Sequence, residues 1–281
     1  MDEFCATHSY KTKLGREDLQ FIIVDDERKI AYCTIPKVGS TTLKRILGDV
    51  RGLPKDIQIH RKNLWRRLYQ YSEKERSKIL QSYFKFVFVR EPLYRLLSAF
   101  KNKFIGSDQG VSKSARAAIV RAYRPQDFNP MYNLVNFSEC IQFFSRRNVY
   151  RNKHWRQYEE LCHPCVIKYD FIGHLETLEE DAALVLKKAG IDKLVSFPPV
   201  HKSTGTSEVL TYYSKVPPQY ITRLGESYRR DFEMFGYDYL GSVQELLKNL
   251  KPGTEDTDPL KEVDYSGSRS GSRNEATNFE Q

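Results

Sequence analysis

Two stretches of the chain change their hydrophobic period in the same way. Ile30, Ala31, Tyr32, Cys33, Thr34 and Ile35 form an unbroken apolar and β-branched run, the pattern of a strand buried on both faces of a parallel sheet. Pro36 ends it. After Lys37, Val38 and Gly39, the hydroxyl residues Ser40, Thr41 and Thr42 lead into Leu43, Ile46 and Leu47 at helical spacing. Tyr83 to Val89 (YFKFVFV) is a second such run, closed by Arg90-Glu91-Pro92. Pro92 suits the first turn of a helix, on which Leu93, Leu96, Leu97 and Phe100 trace an apolar face while Arg95 and Ser98 lie one turn apart on another side. Both stretches read strand, polar loop, helix.

The remaining pattern supplies a frame. Leu19 to Val24 and the charged turn Asp25 to Lys29 predict a hairpin with the first run. Arg51 to Lys62 is basic and loop-like and contains His60; Asn63 to Gln81, with Leu64, Leu68, Tyr71 and Ile79 at helical spacing, predicts one or two amphipathic helices. The basic segment of Lys113, Arg116, Arg121 and Arg124 reads as a helix to Ala122, broken by Pro125, with a solvated face; a packed helix follows Asn136. Val166 to Ile172 predicts a third strand, and Thr177 with Glu180 a capping box for a helix that Gly190 ends. Pro217-Pro218 opens a last long helix with Ile221, Leu224, Tyr228, Phe232 and Phe235 inward and Gly236 as its stop. The expectation is a polar lead-in over 1–17, a single α/β domain over 18–241 with a central parallel sheet flanked by helices, and a disordered tail over 242–281, rich in Ser, Gly, Thr and acids from Lys251.

The first loop has the chemistry of an anion cradle: a glycine able to take positive φ, hydroxyls that can cap, backbone N–H groups at a helix start, and the mobile charge of Lys37. It is not the nucleotide-triphosphate loop G-x-x-x-x-G-K-[ST], because the lysine precedes the single glycine; an ordinary strand-to-helix turn is the competing reading. Arg90 stands at the end of the second strand, and ligands of open parallel sheets lie at the carboxyl ends of strands, so the two loops can face one ligand. The competing reading of Arg90 is a surface ion pair with Glu91 or a neighbour.

At 281 residues with 40% hydrophobic content the chain can bury a real core, and 45 Lys+Arg against 36 Asp+Glu leaves a net charge of +9 that favours an acidic partner. Nucleic acid, anionic glycan and anionic nucleotide all qualify on charge alone. No run of about eighteen apolar residues and no leader pattern at Met1 is present. The five cysteines, Cys5, Cys33, Cys140, Cys162 and Cys165, are odd in number and do not reveal the compartment. Cys162 and Cys165 with His163 between them could be zinc ligands, but no second ligand pair stands at matching spacing.

Four ordered blocks carry a family resemblance: IPKVGSTTLKRIL (35–47), FVFVREPLYRLLSAFKNKF (86–104), NKHWRQYEELCHPCVIKYDFIGHLETLEEDAALVLKKAG (152–190) and YYSKVPPQYITRLGESYRRDFEMFGYDY (212–239). Together they resemble the Golgi carbohydrate sulfotransferases of the group that includes the HNK-1 and the chondroitin, dermatan and N-acetylgalactosamine 4-O-sulfotransferases. The resemblance implies the P-loop-like sulfotransferase fold and 3′-phosphoadenylyl sulfate (PAPS) as donor, without a metal. Pro36, Lys37, Val38, Gly39, Ser40, Thr41 and Thr42 would hold the 5′-phosphosulfate. The second motif, Arg90, Glu91, Pro92, Leu93, Tyr94, Arg95, Leu96, Leu97 and Ser98, would hold the 3′-phosphate, chiefly through Arg90 and Ser98. Lys37 would also stabilise charge developing on the leaving phosphate oxygen.

The implied acceptor is a sugar hydroxyl of an acidic glycan or glycosaminoglycan rather than nucleic acid, and a hydroxyl needs a general base. His154 is the first candidate, His60 the second, and Glu159 or His201 follow; His174 reads as a structural hydrogen-bonding residue. The resemblance also implies disulfides at Cys162 and Cys165, with Cys140 or Cys33 as partners and the pairing open. It implies a Golgi-lumenal, type II membrane setting through an anchor this chain does not show, so that a truncated product, a fragment and an unusual soluble form all stay open. In that setting the sequon Asn136-Phe137-Ser138 becomes meaningful. The chain departs from the family pattern at Gly39 to Leu43 and at Glu91, where an Asp is usual. Two alternatives stand beside this reading: a catalytically inactive nucleotide- or glycan-binding relative, and a kinase, for which no acidic metal-binding partner is present.

Overall fold

The computed structural model describes residues 1–61, 63–105, 112–129, 134–146, 152–198 and 204–250. The strands are β1 (Ile22–Asp25), β2 (Ile30–Cys33), β3 (Arg66–Arg67), β4 (Phe84–Val89) and β5 (Phe171–His174). The helices are α1 (Asp2–Thr7), α2 (Ser40–Val50), α3 (Glu73–Ser82), α4 (Pro92–Phe100), α5 (Ser112–Tyr123), α6 (Phe137–Arg146), α7 (Tyr158–Cys162), α8 (Leu178–Lys188), α9 (Thr206–Tyr213), α10 (Pro218–Met234) and α11 (Tyr239–Lys248). The chain divides into two compact units: 1–95 with 153–203 and 230–237, and 96–152 with 204–229 and 238–281.

The first unit holds a five-stranded sheet in the order β3-β1-β2-β4-β5, so the expected α/β class with a central sheet flanked by helices is the observed one. β2, β4 and β5 run parallel, and β1 and β3 join antiparallel at one side. The two apolar runs are β2 and β4, neighbours in register from Ile30↔Phe84 to Cys33↔Val87, and Tyr32 stacks on Phe86 at 4.5 Å. Their near-complete burial explains why neither shows an alternating pattern. Gly173 in β5 is required by packing: a Cβ there would lie 2.4 Å from the Phe88 ring.

Several local expectations are corrected. No α-helix covers residues 64–70: Arg66 and Arg67 pair with Val24 and Ile23 as a short edge strand, Leu68–Gln70 form a single 3-10 turn, and the α-helix begins only at Glu73, where Ser72 and Glu75 form a reciprocal cap. The third strand starts at Phe171 rather than Val166, because the backbone N–H groups of Val166 and Ile167 are taken by the His163 carbonyl in a turn. The capping box of Thr177 with Glu180 does not form; the Thr177 hydroxyl and the His174 N–H donate to Asp181 instead, each at 2.7 Å. Residues 2–7, expected as polar lead-in, form α1, anchored by buried Phe4 and by a Cys5–Cys165 disulfide. α11 continues to Lys248, past the boundary expected at 241, and the tail from residue 251 lies outside the described residues.

The second unit is helical. Phe137 stands edge-on to Phe100 at 5.1 Å and to Tyr213 at 4.9 Å, and α5 ends at Tyr123, before Pro125 as expected. Two arginines of this basic segment serve structure: Arg116 in α5 donates to the Lys103 and Phe104 carbonyls, and Arg124, just after α5, pairs with Glu139. α10 opens at Pro218, and Gly236 follows it with φ +72°.

Candidate active site

The loop between β2 and α2 is built from backbone that most residues avoid. Lys37 has φ +74° and Gly39 φ +79°, both in the left-handed region. For Gly39 the absence of a side chain also matters, since a Cβ would meet Leu175 and Leu178 at 3.3 Å. A lysine in that region stores strain, which is typical of a site rather than of a plain connection. Gly39 is the N-cap of α2, so no side chain caps the helix, and no acid stands in its first turn. Its leading N–H groups and the positive end of its dipole therefore have the chemistry to receive an anion. Among the neighbouring side chains, Thr41 Oγ1 lies 3.0 Å from His60 Nε2, and both residues are exposed.

The loop between β4 and α4 is differently arranged. Arg90 is only 4% exposed, so it is not a surface residue, and its backbone N–H and carbonyl both bond to the Tyr158 hydroxyl. Burial pulls the Arg90 guanidinium below its ordinary pKa, against the pull of Glu176 and other neighbours. Glu91 accepts the Tyr94 N–H at 2.7 Å, and its own N–H donates to Glu176 at 3.0 Å. The acid that replaces the usual Asp thus caps α4 directly.

Arg95, 1% exposed, does not offer its guanidinium to an open loop. It donates to the Pro36 carbonyl at 3.2 Å, to the Arg156 carbonyl at 2.7 Å and to the Lys153 carbonyl at 3.0 Å, and it lies 4.7 Å from the centre of the Tyr158 ring. One side chain therefore ties the residue before Lys37 to the backbone on both sides of His154. Below it, the Tyr158 N–H donates to both oxygens of Asp231, which is fully buried and whose carboxyl is pushed up to about 7 by burial.

Of the sequence-predicted residues, Pro36 to Thr42, His60, Arg90 to Arg95 and His154 all belong to the first unit; Leu96, Leu97 and Ser98 continue α4 into the second. Glu159 is held by Arg230 through two bonds of 2.7 and 2.9 Å, so its carboxylate is engaged as a structural partner. His174 Nε2 lies 3.2 Å from the Phe235 carbonyl, the structural role expected of it. His201 lies outside the described residues. Cys162 and Cys165 are bonded to Cys33 and Cys5, which removes them as zinc ligands, and Cys140 is a buried free thiol.

Sequence reasoning missed the clamp role of Arg95, the Tyr158–Asp231 support and buried Lys44. Lys44 alone carried a local signal, as a lysine beside Leu43 on the inward face of α2.

Residues 20–238 match the Sulfotransferase family. The chain is 36% identical over 248 residues to carbohydrate sulfotransferase 10 of Xenopus laevis, an alignment covering 80% of this chain and 70% of that one. It is 36% identical over 266 residues to carbohydrate sulfotransferase 11 of Rattus norvegicus (87% and 74%), and 37% identical over 245 residues to carbohydrate sulfotransferase 14 of Danio rerio (82% and 66%). No solved structure matches. No helix among the described residues is long and apolar enough to cross a membrane. Carrying the family's pattern from residue 20 to residue 238, the chain belongs to the sulfotransferase family.

Proposed function

We propose that the chain transfers a sulfuryl group from 3′-phosphoadenylyl sulfate to a sugar hydroxyl of an acidic glycan, of the chondroitin, dermatan or N-acetylgalactosamine-containing type at a 4-hydroxyl. The observation that carries this reading is the Arg95 clamp, which joins the strained, uncapped loop of Lys37 to the segment of His154. The residues present suit the donor: the α2 N-terminus, with no acid of its own, suits a phosphosulfate, and buried Arg90 suits the separate 3′-phosphate. An anion at such a helix start gains about 0.3 to 1 kcal/mol when exposed and up to about 2 when partly buried.

The donor supplies the sulfuryl group and carries away the phosphate oxygen to which it was bound. Lys37 neutralises charge developing on that oxygen, an interaction stronger in the transition state than in the ground state. His154 takes the proton of the attacking sugar hydroxyl. His60, exposed beside Thr41, is the second candidate for that proton. The relatives named carbohydrate sulfotransferases support a glycan acceptor, and the net charge of +9 supports an acidic one. Two disulfides support an oxidising compartment, the Golgi lumen by family resemblance.

Incubation with labelled donor and a panel of desulfated chondroitin, desulfated dermatan and N-acetylgalactosamine-capped glycans tests the reading. Labelled 4-O-sulfate on one of them is expected, with His154→Ala lowering turnover by about 10² to 10⁴ at near-normal donor affinity. Donor binding without transfer to any acceptor would establish the inactive binding relative instead.

A further inference from the structure

Asn136-Phe137-Ser138 is the one N-x-[ST] sequence in the chain, and the proposed chemistry makes no use of it. The fold places it at the start of α6, inside the second unit. Val135 and Phe137 are 8% and 5% exposed, whereas Asn136 between them is exposed, as is Leu134 before them. Two buried neighbours thus anchor the backbone and leave the asparagine side chain outside. Its Oδ1 accepts the Glu139 N–H at 2.9 Å, and Glu139 Oε2 accepts the Asn136 N–H at 3.0 Å, a reciprocal cap of the helix. Arg124 holds the same Glu139 carboxylate. A backbone N–H can donate only to the oxygen of the side-chain amide, so the cap fixes which way that amide faces, and Nδ2 donates no hydrogen bond to any described residue. The fold therefore engages the oxygen of Asn136 and leaves its nitrogen at the surface.

We propose that Asn136 carries an N-linked glycan. The inference rests on the lumenal setting proposed above, where a lipid pyrophosphate-linked oligosaccharide is the co-reactant, and is independent of sulfuryl transfer. Asn136 Nδ2 forms a bond to the anomeric carbon of that oligosaccharide, the bond from this carbon to the pyrophosphate oxygen breaks, Nδ2 gives up one proton, and the lipid pyrophosphate leaves. The product keeps Oδ1 as an acceptor, so the modified asparagine still caps α6. Gln142 Nε2 donates to Ser138 Oγ at 3.1 Å once the first turn is formed, which assigns the modification to the chain before that turn closes. What the folded protein must then supply is room for the sugar, and the exposed position between two buried anchors supplies it.

The test expresses the full chain in cultured animal cells behind a cleavable secretion leader, beside Ser138→Ala, Ser138→Thr and Asn136→Asp. The parent and Ser138→Thr should gain mobility on digestion with peptide-N-glycosidase, and digestion in heavy-oxygen water should convert residue 136 to labelled Asp. Ser138→Ala and Asn136→Asp should show no shift. Both keep an acceptor for the Glu139 N–H, so their melting temperatures should stay within about 2 °C of the deglycosylated parent, which shows that a lost shift is not a lost fold. An unshifted parent overturns the proposal, as does a shift that persists in Ser138→Ala and Asn136→Asp. Thiol labelling of the denatured parent reports on the oxidising compartment separately: Cys140 alone should label. Labelling of Cys5, Cys33, Cys162 and Cys165 in a glycosylated parent would remove the disulfides and leave the Asn136 site standing.

Discussion

The two strand–loop–helix segments occupy adjacent parallel strands, yet they begin their helices in opposite ways. At α2 the N-cap is a left-handed glycine, no side chain caps, and no acid stands in the first turn. At α4, Glu91 caps the first turn, Glu176 receives the Glu91 N–H, and Tyr158 secures the Arg90 backbone. The second helix start is satisfied by side chains of the protein, whereas the first has neither a side-chain cap nor an acid in its first turn. In the proposed function the first loop carries chemistry, and the second supplies framework plus one buried arginine.

The sharpest break of that contrast compares Lys37→Ala with Arg90→Ala. Lys37→Ala should lower kcat by roughly 10² to 10³ at saturating donor. Arg90→Ala should act on affinity, raising the Kd of adenosine 3′,5′-bisphosphate by about tenfold or more while kcat at saturation changes little. Equal falls in kcat for both would show that the second loop shares in the chemistry. Arg95→Met comes next. It leaves the carbonyls of Pro36, Lys153 and Arg156 without their donor in a buried setting, a cost of about 3 kcal/mol or more in urea unfolding. Turnover should fall with it even where the variant stays folded, because the His154 segment loses its tie to the Lys37 loop.

Lys44→Met has the opposite sign. The folded pKa of about 8 lies below the ordinary 10.5, so the charged form is penalised by folding. That penalty is fully present below about pH 8 and fades as pH rises from 8 towards 10.5, where the parent becomes neutral in both states. The variant should therefore be more stable than the parent at neutral pH, by at most roughly 3 kcal/mol, with the gap closing by pH 10.5. A thermal-melt series across this range checks it. A variant less stable at pH 7 would mean that Lys44 is compensated in the free protein, which would weaken the contrast between the two helix starts.

Much of the frame was legible because it is local. β2 and β4 are continuous apolar runs, Pro92 and Gly190 sit where helices open and close, and the hairpin of β1 and β2 follows from the charged turn between them. What was not legible is non-local. Cys5 and Cys33 find Cys165 and Cys162 across 160 and 129 residues, and nothing in the spacing selects that pairing. The two-residue strand Arg66–Arg67 has no alternation to read, and its register comes from β1. The site shows the same division: the motif located the two loops, but not that Arg95 would turn to carbonyls of a segment about 60 residues away, as far as a buried side chain can report only in three dimensions. The substitution of Thr177's expected partner Glu180 by Asp181 is likewise decided by the strand end at His174, which needs the same carboxylate.

The smallest effects test the helix starts themselves. Glu91→Ala removes the acceptor of the Tyr94 N–H at the start of α4 and should cost about 1 kcal/mol, with a fall in melting temperature of a few degrees. Thr41→Ala, in the first turn of α2, removes only an exposed contact to His60 and should leave stability within about 0.5 kcal/mol. Its effect should appear in donor affinity instead, since a hydroxyl not used to cap the helix is available to an anion placed there. If Thr41→Ala destabilises the fold as much as Glu91→Ala does and leaves donor affinity untouched, then the α2 start is satisfied from within after all, and the distinction between the two loops disappears. If the two substitutions separate, one moving the melting temperature and the other the donor Kd, each helix start has been assigned its work by a difference of about 1 kcal/mol.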